Sequence, residues 1–299
     1  MKRLPLIIFA ALFAAMSHAQ DITVTVSIPP QKYIIDRISQ GKIRVNVMIP
    51  KGSDPHTFSP KAAQIKQLAD SILYLAIGFP FEESLLSRIS QSHKNLTVIK
   101  TDEGIALSAE DEGYISAAQT GGKNAEKTDG ELDPHIWTSP KEMLKIAENS
   151  FNAILKIDPV NRAVYEKGYN ALTEDIRAAD GKFAALFQNS YVSKKFIAYH
   201  PAWSYFARHY GLEQYAVETD GKPPKAKELK TVIEKAKAEN IKVFLIQPQH
   251  SAGLAAGIAK ELGVKPVTID ILNEDWIDTM TRMYAAFAGA LPSPEGRGS

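Results

Sequence analysis

The sequence contains no cysteine. That excludes disulfides and thiolate ligands, so a metal held by this chain is held through nitrogen and oxygen. The chain also lacks charge of one sign. Its 35 Lys and Arg face 34 Asp and Glu, a formal net charge of +1, with no long run of either sign. Nothing in that balance invites nucleic acid or an anionic membrane surface. Long apolar runs are absent except for Leu4–Met16, which is too short to span a bilayer. Lys2 and Arg3 precede it, and Ser17-His18-Ala19 follows as a small-x-small site, so residues 1–19 read as a cleavable signal peptide. Its removal would leave 33 basic against 34 acidic residues. A bacterial lipid anchor is attached through cysteine. The expectation is therefore a soluble periplasmic protein, and likewise a monomer.

What is present is a set of three short phrases: Asp54-Pro55-His56-Thr57-Phe58, Asp133-Pro134-His135-Ile136-Trp137 and Tyr199-His200-Pro201-Ala202-Trp203. Each puts a histidine beside a proline, where a strand pattern has ended or a helix is about to begin. A lone histidine there would usually border a loop or cap a turn. Three in matched surroundings point to a metal, for which neutral imidazole is a common ligand. Asp270 ends a later strand pattern, Pro266–Asp270, and is a fourth candidate; the competing reading is an Asp that caps its own turn. Asp54 and Asp133 either bond a neighbouring backbone group or orient an imidazole. Trp137 and Trp203 read as core or as a wall that keeps water from the site, and Trp276 as core. His209 reads as structural, near a helix end. His93 reads as a surface residue, as does His250 unless it approaches the cleft.

The 299 residues, 44% of them hydrophobic, allow one large domain or two of ordinary size. From residue 21 the hydrophobic period alternates between two and about 3.6. Strand patterns at 22–26, 43–49, 72–77 and 96–99 interleave with helical ones, Ser59-Pro60 offering a helix start. Residues 108–131 are polar and weakly periodic, and read as a long loop. Ser139-Pro140-Lys141-Glu142 then reads as a capping box. The longest helical pattern runs from about Val160 to Gln188, interrupted by Gly168 and Gly181. Alternation resumes with strands at 196–199, 243–246 and 267–269. The expected fold is α/β, with two βα-alternating lobes of parallel sheet joined by one long rigid helix. The boundaries are 1–19 signal peptide, 20–157 N-terminal lobe, 158–190 connecting helix, 191–292 C-terminal lobe and 293–299 tail. Ligands of such sheets sit beyond the carboxyl ends of the strands. The expected site is therefore the inter-lobe cleft, with two ligands from each half.

These motifs resemble those of the solute-binding proteins of ABC importers for zinc and manganese. The likeness covers nearly the whole chain from Ile22 to the last helix. It rests on Pro-His-Thr-Phe-x-Pro at 55–60, Asp-Pro-His-Ile-Trp at 133–137 and Tyr-His-x-x-x-x-Tyr-Phe-Ala-x-x-Tyr-Gly at 199–211, in that order. The resemblance implies a metal set of His56, His135, His200 and Asp270, and an ABC transporter membrane permease as partner. Three features depart from it. The 108–131 loop has no histidine, the disulfide common in the second lobe is absent, and Gln247 stands where many relatives have Glu.

Three imidazoles and a carboxylate suit Zn2+ in tetrahedral geometry. Mn2+ prefers more oxygen and lies low in the affinity order, and manganese-selective relatives more often place Glu where this chain has His200. Zinc is therefore favoured as the transported ligand, with Mn2+ or Fe2+ as the alternative. A zinc-dependent hydrolase, with three histidines on the metal and the fourth position open, is the enzyme reading. No His-Glu-x-x-His and no obvious general base beside a ligand support it. With imidazoles near their ordinary pKa, the metal should leave below about pH 5.5.

Overall fold

The computed structural model describes residues 22–92, 95–109, 132–218, 224–249 and 252–289. The expected signal peptide at 1–19, the expected tail at 293–299, His93, His250 and nearly all of the expected 108–131 loop lie outside them. Strand β1 (Ile22–Val26) leads into helix α1 (Pro29–Ser39), then β2 (Ile43–Val47), α2 (Ala62–Ala69), β3 (Leu73–Ala76), α3 (Pro80–Ser92) and β4 (Thr97–Lys100). A 3-10 turn (Ile136–Thr138), α4 (Pro140–Ile157), a second 3-10 turn (Pro159–Asn161) and α5 (Arg162–Gln188) connect to the second lobe. That lobe runs β5 (Lys195–Ala198), α6 (Ser204–Tyr210), β6 (Glu213–Ala216), α7 (Ala226–Ala238), β7 (Val243–Ile246), α8 (Ala252–Leu262), β8 (Val267–Thr268) and α9 (Trp276–Ala288).

Both sheets are parallel and repeat one topology, β2-β1-β3-β4 and β6-β5-β7-β8. Val24 pairs with Val45 on one side and Leu73 on the other. Phe196 pairs likewise with Gln214 and Val243. In each sheet the chain order reverses beside a central strand, β1 or β5, and the crevice for a ligand opens at that strand's carboxyl end. Among the described residues no helix is long and apolar enough to cross a membrane.

Local chemistry explains the elements that frame the cleft. Pro29 and Pro30 open α1, where a missing N–H costs nothing. The Gln31 side-chain oxygen accepts from the Ser27 and Ile28 N–H groups, at 3.0 and 3.3 Å. The 27 residues of α5 span about 40 Å. It buries Tyr165, Leu172, Ile176, Phe183 and Phe187. At Gly168, a Cβ would lie 2.4 and 2.5 Å from the Ile38 and Arg37 carbonyl oxygens of α1. The glycine that weakens the helix by propensity is what lets α1 and α5 touch. One continuous hydrophobic cluster runs from Val24 and Leu73 through Ile176 and Phe183 to Phe196, Leu245 and Trp276, so both lobes share a core.

Three local expectations fail. The α2 helix begins at Ala62, not at Ser59-Pro60: Lys61 is still extended, and its N–H donates to the Gln64 side chain at 2.7 Å. The capping box at 139–142 does not form. Ser139 precedes α4 without a side-chain cap, and neither Ser139 Oγ nor Glu142 Oε2 has a partner. Strand β6 was not anticipated.

Candidate metal centre

The first histidine loop joins β2 to α2, beyond the strand end. Asp54 Oδ1 accepts from the His56 N–H at 2.9 Å, and Asp54 Oδ2 from the Thr57 hydroxyl at 3.2 Å, closing a tight turn that presents His56. In the second loop Asp133 Oδ1 accepts both the His135 N–H, at 2.9 Å, and its ring Nδ1, at 2.8 Å. Asp133 thus plays both roles open to it, whereas Asp54 serves the backbone. His200 follows β5, where the Ala202 N–H reaches back to the His200 carbonyl at 2.9 Å. Gln247, at the end of β7, braces the same backbone, receiving the His200 N–H at 3.4 Å and donating to its carbonyl at 3.1 Å.

The three rings converge. His56 Nε2 lies 3.2 Å from His135 Nε2, which lies 3.3 Å from His200 Nε2. The ligand atoms of all three fall within 4.8 Å of one another, and among the described residues no carboxylate joins the group. Asp270 stays outside it: its Oδ1 accepts from the Leu272 N–H at 3.0 Å, as a turn-capping Asp does. His209 is also remote from the triad, and its Nε2 pairs with Asp180 of α5 at 2.9 Å.

Sequence reasoning missed Glu218, which follows β6. It is buried, and its Oε2 lies 3.0 Å from His200 Nδ1. Asp133 and Glu218 thereby give His135 and His200 the same second partner. A carboxylate can only accept, so both Nδ1 atoms carry the hydrogen. The tautomer follows from those acceptors, and it makes each Nε2 a lone-pair donor that faces the other rings. Burial lowers the pKa of both rings, against the raising pull of Asp133 and Glu218. His56 falls to about 4, first through burial among the rings and then through the charge of His200. Neutral imidazoles are therefore the resting state near pH 7.

The His135 and His200 lone pairs, facing one another at 3.3 Å, repel unless a cation lies between them. A tetrahedral Zn2+ with Zn–N of 2.0–2.1 Å places its nitrogens about 3.3–3.4 Å apart. The His56–His135 and His135–His200 spacings therefore match two edges of a zinc tetrahedron. Aromatic rings line the same space. Phe79 meets His56 edge-on at 6.5 Å between centroids, and Trp137 lies 5.4 Å from His135 and 5.7 Å from Phe79.

Residues 24–290 match the family model described as ZnuA, zinc-uptake complex component A periplasmic. Among curated relatives, the "Zinc-binding protein AdcA" of Streptococcus pyogenes serotype M6 is 26% identical over 241 residues, 77% of this chain and 46% of that one. The chain thus spans about half the length of the first curated relatives it matches. The "High-affinity zinc uptake system protein ZnuA" of Bacillus subtilis is 25% identical over 263 residues, 87% of this chain and 81% of that one. A solved structure, "Crystal structure of ZnuA", superposes with a TM-score of 0.79 at 31% identity, covering 91% of this chain and 99% of that one.

Proposed function

The chain belongs to the zinc-uptake complex component A periplasmic family, and from that premise we propose that it binds Zn2+ in the periplasm and hands it to an ABC permease. His56, His135 and His200 are the ligands in this reading. The observation that carries it is the approach of the His135 and His200 Nε2 atoms to 3.3 Å, each ring held through its Nδ1 by a buried carboxylate on the far side. Such carboxylates raise ligand basicity and hold ring orientation, and losing one typically costs 10–100-fold in affinity.

The same geometry argues for zinc over manganese or iron. Three converging nitrogen donors offer Mn2+ too little oxygen, and Mn2+ also binds most weakly in the divalent series. It argues against catalysis as well. The two carboxylates next to the triad bond imidazole Nδ1 atoms, on the side of each ring away from the converging Nε2 atoms, which is the place of ligand supports rather than of a base for a metal-bound water. Cargo carried between partners needs the ligands and no further chemistry.

The test is a chelator competition titration of metal-stripped protein with Zn2+, Mn2+ and Fe2+. The expected result is one Zn2+ per chain, bound far more tightly than the other two. Tighter binding of Mn2+ than Zn2+ would move the cargo to manganese, and no stoichiometric binding of any of the three would overturn the reading.

A further inference from the structure

The ligand turn at 133–138 belongs by sequence to the first lobe, but most of its long-range hydrogen bonds run to the second. Tyr205 of α6 donates its hydroxyl to the Asp133 carbonyl at 2.7 Å. The Thr138 hydroxyl lies 2.9 Å from the Ala202 carbonyl, two residues past His200, and 2.8 Å from the His135 carbonyl, one proton serving both acceptors. The Trp137 indole donates to the Ile271 carbonyl at 2.8 Å. The Trp276 indole, at the start of α9, returns the bond to the Trp137 carbonyl at 2.7 Å. Against these four stands one bond to the first lobe, from the Asp133 N–H to the Ser108 carbonyl at 2.9 Å. Both indoles are buried, at 1% exposure each, so each N–H would lie unpaired without its partner. From the first lobe, Phe79 packs its ring against Trp137, and the turn runs directly into α4.

The three histidines are therefore not shared evenly between the lobes. His135 and His200 sit on turns joined to one body and are fixed by buried carboxylates. His56 alone comes from the other lobe. It stands on the β2–α2 loop, its Nε2 meets His135, no carboxylate among the described residues bonds its ring, and it keeps a solvent-exposed side although the surrounding protein desolvates the ring.

We propose that Trp276 is a positioning residue for metal binding: with Trp137 it fastens the His135 turn to the C-terminal lobe, so that His135 and His200 form a preassembled pair to which His56 is added. This rests on the three imidazoles being the metal ligands. Trp276 touches none of them. It acts on His135 through the backbone of Trp137, and that route makes the role separable from a merely structural one.

The experiment is a set of double-mutant cycles on the full chain, read by zinc competition and by the rate of zinc release to excess chelator. Trp276→Phe keeps an aromatic ring and removes the N–H. Expected is an affinity loss of about tenfold in the native background and again in His56→Ala, the size of one lost buried hydrogen bond. In His135→Ala the same substitution should add no more than about twofold, the usual scatter of additivity. His56→Ala alone should also weaken zinc less than His135→Ala does. An equal loss in all three backgrounds, or no loss in any, overturns the proposal. Should Trp276→Phe fail to fold, Thr138→Val removes another of the four bonds and must give the same pattern; its failure to do so counts equally against the idea. If the native chain binds no zinc, the metal-binding reading falls first and this one with it. Zinc binding with additive cycles removes only this one.

Discussion

The two lobes repeat one parallel topology, yet they hold their histidines in opposite ways. In the C-terminal lobe His200 leaves β5 almost at once. Gln247 braces its backbone and Glu218 fixes its ring. In the N-terminal lobe His56 stands nine residues beyond β2, and its Asp54 bonds backbone rather than ring. A ligand held by a buried carboxylate is oriented before metal arrives, so less ordering entropy is lost on binding. An even sequence pattern, three matched His-Pro phrases, thus need not give three equivalent ligands. What decides equivalence is the far-side partner of each ring, and that partner is supplied by tertiary structure.

The difference between the lobes should show most strongly at the ligands themselves. His135→Ala and His200→Ala should each weaken zinc the most, leaving only weak binding that chelator competition still reads, while His56→Ala costs clearly less. Equal losses at all three would erase the difference. Next come the carboxylates: Asp133→Asn and Glu218→Gln should each weaken zinc by about 10–100-fold, with Asp54→Ala well below that. Asp270→Ala belongs in the same series. A loss of under about tenfold keeps it as a turn cap, and one beyond about 100-fold makes it a ligand.

A third contrast lies within α5. Gly168→Ala forces a methyl into the α1 carbonyls and should destabilise the fold by about 3 kcal/mol, the upper end of overpacking, by denaturant unfolding. At Gly181 an added methyl would meet nothing within 4 Å, so Gly181→Ala should stabilise by about 0.4–1 kcal/mol. The same substitution on one helix changes sign with its neighbour. Equal effects would show that helix propensity, not the close approach to α1, governs both sites.

The pH dependence gives the smallest effect. Imidazoles whose folded pKa is depressed bind fewer protons than the unfolded chain, so metal-free stability should fall as pH drops below about 6.5. The decline should level off once the folded rings also titrate, near 4 for His56. Depressed values also mean weaker proton competition, so zinc should persist at about pH 5.5, lower than unperturbed imidazole would allow. Release already complete at that pH would contradict the burial assigned to these rings.

Much of this was legible in the chain. β1 follows its alternation over Ile22–Val26, and the histidines declare themselves by repetition. What escaped was set by contacts at a distance. β6 is four residues long, Glu213–Ala216, and its Gln214 is buried because it accepts the Trp203 N–H at 3.0 Å. A buried Gln reads as surface in any hydrophobicity pattern. Glu218 was missed with it, since its ring partner lies 18 residues away. Ser139 fits a capping box by type and spacing, but the preceding 3-10 turn places its N–H on the Ile136 carbonyl, and its hydroxyl finds no partner. The expected division of two ligands from each half rests on chain order alone. Chain order places His135 with the first lobe, whereas four hydrogen bonds tie its turn to the second.

The most direct test of the site is zinc K-edge X-ray absorption on protein loaded with one equivalent of zinc. Three imidazole nitrogens at about 2.0–2.1 Å with one further light atom are expected, and His200→Ala should remove one imidazole from the fit. A shell of five or six oxygens with fewer than two imidazoles, unchanged in His200→Ala, would contradict the convergence of His56, His135 and His200 on a single ion.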